Sequence, residues 1–377
     1  MKNQLLTTFG LLFCFSCLLI LTGCNKSTEQ GGDVLDEAWF AGGDEEEVQS
    51  VDAPADPTES TARLGVQLTQ GAKFPLQKVV EKTLTQSTLQ GPIESLERVE
   101  LFMSVTVEEI RDRNKKFSVR YNRVQYSSDI SGQRIFYDSQ QPPYPVPDAA
   151  LAYHGMVNNG FSFWVGADNR ITDVVDFHAF MQRCLAGVPA QKADLVADTL
   201  AKYSGQEGIA NFVDDTIGLL PFDPNSKDGS TFVRLGGNWT KSRHYSDPVP
   251  MLLNVKYTMK DLSNDVAEIE IQGDISPSAA VTSTDKKPIA LQVQDGFSMG
   301  TCTIDRKTGL PVKSRIDHVI NMTVQVNGRQ FKQQKRVVTS IRMFPGQEIS
   351  SPAQSTAQRK PQKSDLVLRP AAHQTQK

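Results

Sequence analysis

Val99-Glu100-Leu101-Phe102-Met103-Ser104-Val105-Thr106-Val107, a turn at Asp112-Arg113-Asn114, and then Lys116 to Tyr126 decide the fold class. The first run is strongly β-branched. In the second, Phe117, Val119, Tyr121 and Val124 alternate imperfectly with polar residues. Two runs of period two joined by a short polar turn predict a pair of antiparallel strands. Upstream, Leu64 to Leu68 alternates apolar with small or polar residues, Gly71 marks a turn, and Phe74 to Leu84 reads as a further strand. Downstream the period changes. Residues 148–157, 176–185, 190–203 and 207–220 read as helices, with Ile209, Phe212, Val213, Ile217 and Leu220 on one side of the last, and Pro221 and Pro224 ending the block. Strands return at 231–244, 251–260, 266–272, 289–304, 310–326 and 330–343, and Asn327-Gly328 is a hairpin signal between the last two. The expected class is α+β: mainly antiparallel, with long strands and a helical insertion at about 176–220.

The two β halves also read as related. Asn159-Gly160-Phe161-Ser162-Phe163 precedes a polar turn and Ile171, much as Asp295-Gly296-Phe297-Ser298-Met299 precedes Asp305-Arg306-Lys307-Thr308-Gly309 and Leu310. A long hairpin lies upstream of each, at 97–126 and at 251–272. The reading is a pseudo-duplicated fold, forming either one continuous curved sheet or two stacked lobes.

The ends of the chain differ from its middle. Met1-Lys2-Asn3-Gln4 carries one positive charge, Leu5 to Leu21 is a mainly apolar run of about 17 residues, and Leu21-Thr22-Gly23-Cys24 closes it. That order matches a secretory signal peptide ending in a lipobox, in which the Cys24 thiol takes the lipid. An uncleaved membrane anchor is the other reading of the run. Cleavage after residue 23 would leave 354 of the 377 residues, anchored by acyl chains rather than spanning the bilayer. Asn25, where an aspartate would favour inner-membrane retention, tilts the expectation to the outer membrane.

Residues 24–62 are dominated by acids, with Lys26 the only base before Arg63, and read as a disordered tether. Trp39-Phe40 within it is a chance apolar pair or a short docking peptide. At the other end, 347–377 reads as a disordered basic tail. There Arg359, Lys360, Lys363, Arg369 and Lys377 outnumber Glu348 and Asp365. Between these lie a first β half (63–175), the helical insertion (176–222) and a second β half (223–346).

Leu64-Gly65-Val66-Gln67-Leu68 with Gly71, the long strands after it and the Gly-Phe-Ser strands resemble an uncharacterised family of bacterial envelope lipoproteins of the planctomycete type, a domain of unknown function. The resemblance spans about 64–345 and implies no activity. The turn from Ile304 to Pro311 is similar, over one hairpin, to lipoprotein carriers built as half-barrels.

The search for chemistry yields few candidates. Net charge is −3, which does not point to nucleic acid. With Cys14 and Cys17 in the signal and Cys24 lipidated, only Cys184 and Cys302 remain, as a disulfide or as separate buried thiols. No spacing of Cys or His indicates a metal, no cofactor motif appears, and His154, His178, His244, His318 and His373 are scattered. Asp176 reads as the N-cap of a helix. Gly296-Phe297-Ser298-Met299-Gly300 fits the Gly-x-Ser-x-Gly pattern of hydrolases, but the residues after it continue as a strand, and Asp317 and His318 are adjacent and point to opposite faces. Phe161, Phe163, Trp164, Phe177 and Phe180 mark either helix-on-sheet packing or an apolar ligand pocket. The sequence therefore points to a non-enzymatic envelope lipoprotein. Its partners would be the membrane, through Cys24, and another envelope protein. A carrier of a lipid or other hydrophobic ligand is the alternative, and a serine hydrolase at Ser298 the remote one.

Overall fold

The alternation over 99–126 produces a long hairpin. In a computed structural model, described over residues 60–88, 90–204, 206–245, 249–278, 289–326 and 329–344, β3 (Gly91–Arg111) pairs with β4 (Asn114–Ile130). Val99, Leu101, Met103, Val105 and Val107 all turn to one face and are buried. The same period two sets one apolar face on each neighbouring strand, and those faces join into a single core.

The strands are β1 (Thr61–Leu64), β2 (Lys73–Thr88), β3, β4, β5 (Gln133–Asp138), β6 (Gly160–Val165), β7 (Ile171–Val175), β8 (Thr231–Arg234), β9 (Asn238–Tyr245), β10 (Met251–Leu262), β11 (Val266–Pro277), β12 (Ile289–Asp305), β13 (Pro311–Val326) and β14 (Arg329–Met343). Twelve of them form one antiparallel sheet in the order β7-β6-β4-β3-β2-β14-β13-β12-β11-β10-β9, with β5 added beside β4. β2-β3-β4-β6-β7 is one meander and β9-β10-β11-β12-β13-β14 another, both progressing in the same direction across the sheet. β14 lies beside β2, from Met343 opposite Leu76 to Gln333 opposite Gln86, so the end of the second meander is stitched to the start of the first. Of the two arrangements the sequence left open, the chain adopts one continuous sheet.

Helices α1 (Leu151–Met156), α2 (Phe177–Leu185), α3 (Ala193–Ser204) and α4 (Gln206–Asp214) lie between β5 and β8, with single 3-10 turns at Asp148–Ala150, Ala190–Lys192 and Ile217–Leu219. This block shows that the sheet is rolled. α4 packs on β7, at one edge. Its Phe212 ring lies 5.4 Å from the Lys78 ammonium on β2, in the middle of the sheet. Just after it, the Leu219 and Gly218 carbonyls accept hydrogen bonds from Trp239 Nε1 and Lys241 Nζ on β9, at the other edge. A few residues touching both edges and the centre require the sheet to curve around them, as the twist of a large antiparallel sheet favours.

One end of the roll is capped. The β1–β8 ribbon lies there, Arg113 at the β3–β4 turn donates to the Pro224 and Ser226 carbonyls, and Arg63 pairs with Asp228.

The structure corrects several local expectations. The strand expected over 231–244 is two, because Gly236 at φ +78° turns the chain between them, and β8 leaves the large sheet to pair with β1. β5 was not foreseen; Ser131 and Gly132, both at positive φ, make the tight turn that returns it beside β4. Asp176 sits at the N-cap of α2 but at φ 59° with no side-chain capping bond. The signal peptide with Cys24, the acidic tether up to residue 59, the basic tail and the Asn327-Gly328 turn lie outside the described residues, while Thr61 and Ala62, expected in the tether, begin β1.

Gly309 combines a left-handed φ of +69° with a closed site: a Cβ there would stand 1.8 Å from the Gly65 carbonyl oxygen. Gly71 has φ +85° but open space around it. Gly71→Ala should cost roughly 1 kcal/mol of unfolding free energy from backbone strain alone. Gly309→Ala should cost clearly more, because the ribbon carrying Gly65 must shift. Equal losses in urea denaturation would contradict this packing.

Candidate functional site

The Gly296–Gly300 stretch sits in the middle of β12, and alternation divides its side chains between two faces. Ser298 points to the inner, helix-bearing face and is buried; Phe297 and Met299 point outward and are 38% and 51% exposed. The strand runs straight through Ser298 with no turn into a helix, so the nucleophile-elbow geometry is absent from this stretch.

On the inner face, the β12–β13 register sets Ser298 directly opposite His318. His318 belongs to a buried polar cluster. Arg243 on β9 donates through Nη2 to Asp215 Oδ1 at 3.0 Å and to the Tyr245 hydroxyl at 2.5 Å, and lies 3.5 Å from His318 Nε2. Asp214 Oδ2 is 3.5 Å from Arg243 Nη1, and the Tyr245 hydroxyl is 3.4 Å from His318 Nε2. The sheet supplies Arg243, Tyr245, His318 and Ser298, while the end of the helical block supplies Asp214 and Asp215. Lys78 reaches the same region from β2 and feels Asp215 and Arg243 electrostatically.

Burial dominates the electrostatics of this cluster. It pushes His318 down to about 4, with Arg243 adding to the shift, so the imidazole is neutral at pH 7. It also lowers Lys78, and raises Asp214 against the opposing pull of Arg243. Lys241, whose ammonium donates to the Gly218 carbonyl, is brought down to about 8 by burial. Because Nε2 of the neutral His318 faces the donors of Arg243 and Tyr245, the ring proton belongs on Nδ1. Among the described residues that Nδ1 finds no hydrogen-bond partner, and neither do Ser298 Oγ or Arg243 Nε, while Arg243 Nη1 has only its 3.5 Å ion pair with Asp214. Each such atom costs about 1–3 kcal/mol when left unfilled.

The outer face of the same strands forms an open depression. It is lined by Phe297 and Met299 at its apolar centre and by Ser242, Asn254, Gln272, Lys256, Glu270, Asp274, Arg315 and Asp317 around them. Gly273 and Gly300 also line it, and a Cβ on either would come within 2.7 Å and 2.3 Å of a carbonyl oxygen on the next strand, so the close approach of the strands here depends on glycine. Asp317 is held by Arg336 on β14, which confirms that Asp317 and His318 serve opposite faces.

Of the two readings of the aromatic group, helix-on-sheet packing and an apolar pocket, the packing is the one observed. Phe161, Phe163 and Phe180 are buried and packed on each other and on Phe117 and Tyr121, with the Phe161 and Phe180 rings 5.2 Å apart. Phe177 closes edge-on against Phe161. Trp164 lies on the opposite face, under the Arg111 guanidinium, as strand alternation requires. This is helix-on-sheet core. Of the two readings of the cysteines, separate buried thiols are the one observed: Cys184 on α2 and Cys302 on β12 are both free and buried. Burial pushes the Cys184 thiol up to about 12 and raises Cys302 further. Among the described residues no group of His, Cys, Asp and Glu could hold a metal ion.

The His318 shift has a pH signature. The unfolded ring takes up a proton near pH 6.5 and the folded one only near 4, so between these values the unfolded chain binds more protons and stability falls as pH falls. The contribution should reach about 3 kcal/mol by pH 4. His318→Gln should flatten the curve of unfolding free energy against pH over this window. Identical slopes in the two proteins would contradict a buried, neutral His318.

Comparison with known proteins adds a family and no activity. Among curated proteins none matches the chain. Of solved structures, lipovitellin, from a study of its lipid–protein interactions, shares 10% identity over 76% of this chain and 26% of its own, with a TM-score of 0.40. The chain thus spans about a quarter of lipovitellin. The translocator domain of the autotransporter NalP from Neisseria meningitidis shares 6% identity over 74% of this chain and 90% of its own, with a TM-score of 0.18. A putative outer membrane lipoprotein-sorting domain from Vibrio parahaemolyticus shares 9% over 72% and 87%, with a TM-score of 0.13. These superpositions are too loose to assign a fold or a function. Residues 112–311, more than half of the 377, match the profile of a family of unknown function, DUF6263, and the chain belongs to that family.

Proposed function

We propose that the protein is a lipid-tethered envelope protein that acts by binding another protein, without catalysis, through the outer depression of β9–β13. The observation that carries this reading is the pair Phe297 and Met299, exposed at the centre of a polar rim. An apolar centre in a charged rim is the anatomy of a protein interface. The lining charges decide the class of partner. Lys256 and Arg315 are outnumbered by Glu270, Asp274 and Asp317, so nothing here favours nucleic acid or an anionic membrane surface.

The tether follows from the sequence: an export signal, Cys24 in a lipobox and an acidic segment of about 38 residues before the first described strand. Among the described residues no helix is long and apolar enough to cross a membrane. Placement at the outer membrane rests on Asn25.

Two experiments test the two parts. Cys24→Ala should abolish labelling with a fatty-acid analogue and release the protein from the membrane fraction; unchanged labelling would remove the anchor from this reading. A photo-crosslinking residue placed at Met299 in the native host should give a discrete protein adduct that is lost on Phe297→Asp. The same residue at Thr83, on the outer face of β2, should give none. Absence of an adduct at Met299, or equal adducts at both positions, would contradict the proposed surface.

A further inference from the structure

Three exposed bases stand together on the outer face, near the capped end of the roll. Lys313 on β13 is directly opposite Arg342 on β14, and Arg315 follows Lys313 on the same face. Like charges directly opposite one another weaken a strand pair. Among the described residues none of the three has an ion pair, and Arg315 donates only to the Ser340 hydroxyl, at 3.2 Å. The acids closest along β12 and β13 are already held, Asp305 by Thr308 of its own turn and Asp317 by Arg336. The sheet thus keeps a repulsive cluster that an acidic segment would relieve.

The chain carries such a segment. Asp44-Glu45-Glu46-Glu47 is a run of four acids in the tether, with Asp52, Asp56 and Glu59 after it and no base between Lys26 and Arg63. The tether also joins the fold at the same end. The Ser60 carbonyl accepts from the Leu235 N–H, and the Gly236 N–H donates to the Met259 carbonyl on β10. Met259, Ile269, Cys302 and Ser314 form one row across β10–β13, so Ser314, between Lys313 and Arg315, is three strand spacings from Met259. At about 4.8 Å per spacing that is roughly 14 Å. Glu47 lies 13 residues before Ser60, enough chain to span up to about 43 Å. The run can therefore reach the bases of its own molecule, and a connection this short gives it a high effective concentration there.

We propose that residues 44–47 of the tether dock on Lys313, Arg315 and Arg342 of the same chain. The docked run neutralises the like-charged pair and draws the capped end of the roll toward the anchor. Arg315 also lines the outer depression, so the docked run lies across that rim and a partner binding there displaces it. This last consequence rests on the depression being a protein interface; the docking itself does not.

The test is zero-length carbodiimide coupling, which joins a carboxylate to a lysine amine as an amide with loss of water, on full-length protein extracted from host membranes. Peptide mass spectrometry reads the product. Lys313 should couple to residues 44–47 with about tenfold or more the yield of Lys332, an exposed lysine of β14 at the other end of the same face. The yield should fall severalfold between about 50 mM and about 500 mM salt. Arg315→Gln combined with Arg342→Gln, both at exposed positions, should lower it severalfold without lowering the urea midpoint. Equal yields at Lys313 and Lys332, no coupling of Lys313 to the run, or full yield in the double variant overturns the docking. Coupling only between chains, seen by mixing isotope-labelled and unlabelled protein, overturns the assignment to the same chain. The double variant should also raise the photo-crosslinked adduct at Met299, and an unchanged adduct overturns the competition. Absence of any Met299 adduct leaves the Lys313 coupling in place, so the docking and the proposed interface fail separately.

Discussion

The pairing of β14 with β2 is the contact on which the rest of the structure depends. Eleven cross-strand partners, from Gln333 opposite Gln86 to Met343 opposite Leu76, join the last strand of the chain to the first strand of the large sheet. Without it the chain is two separate meanders, each with an unpaired edge at β2 or β14. With it the sheet is wide enough to roll, and the helical block between β5 and β8 is enclosed where it touches both edges and the centre. Contacts so distant in sequence cost loop entropy before they stabilise anything. The length of the strands, with long apolar inner faces on β3, β10 and β13, offsets that cost through burial.

Enclosure then sets the chemistry. A polar group on a strand of an open sheet faces water; the same group on the inner face of a roll must find a protein partner. Arg243 finds Asp214, Asp215 and Tyr245, and in doing so ties the end of α4 to the far edge of the sheet. Ser298 and the Nδ1 of His318 find nothing within the protein. The two faces of β9–β13 thus differ in kind: a closed inner face with buried donors left without acceptors, and an open outer face with two exposed apolar side chains among charges of both signs. The Gly296–Gly300 stretch contributes to both because side chains alternate along a strand.

What was legible in the sequence was local. The β-branched run at 99–107, the alternation at 116–126 and the helical spacing of Phe177, Phe180, Met181 and Cys184 report directly on short-range geometry, and the class they implied is the one observed. The chain does form two meanders, but the patterns near 160 and 297 do not correspond, since Phe161 and Phe163 are buried on the inner face while Phe297 and Met299 are exposed on the outer one. The inner cluster could not be read in this way. Ser298 and His318 become neighbours only through the register of a hairpin turning at 306–309, and Arg243 meets Asp214 and Asp215 only because the sheet rolls. Counting the β12–β13 register outward from that turn would have paired Ser298 with Asp317, because an irregularity between Thr303 and Ile304 shifts the register by one residue and brings His318 opposite Ser298 instead. The aromatic group at 161–180 stayed open between filled core and pocket because composition does not tell the two apart, whereas period two already set Phe161 and Phe163 on one face and Trp164 on the other.

The most direct test of this account is a register-specific crosslink across the β14–β2 seam. Ser340 and Val79 are cross-strand partners on the outer face, so cysteines at both positions, in a chain lacking Cys24, should form a disulfide in high yield under mild oxidation. A pair shifted by one residue, at Ser340 and Val80, should not, because Val80 points to the inner face. A disulfide in the first variant and not the second is the result expected of one continuous rolled sheet. Failure of the first pair to close, or equal closure of both, would contradict the seam, and with it the enclosed inner face.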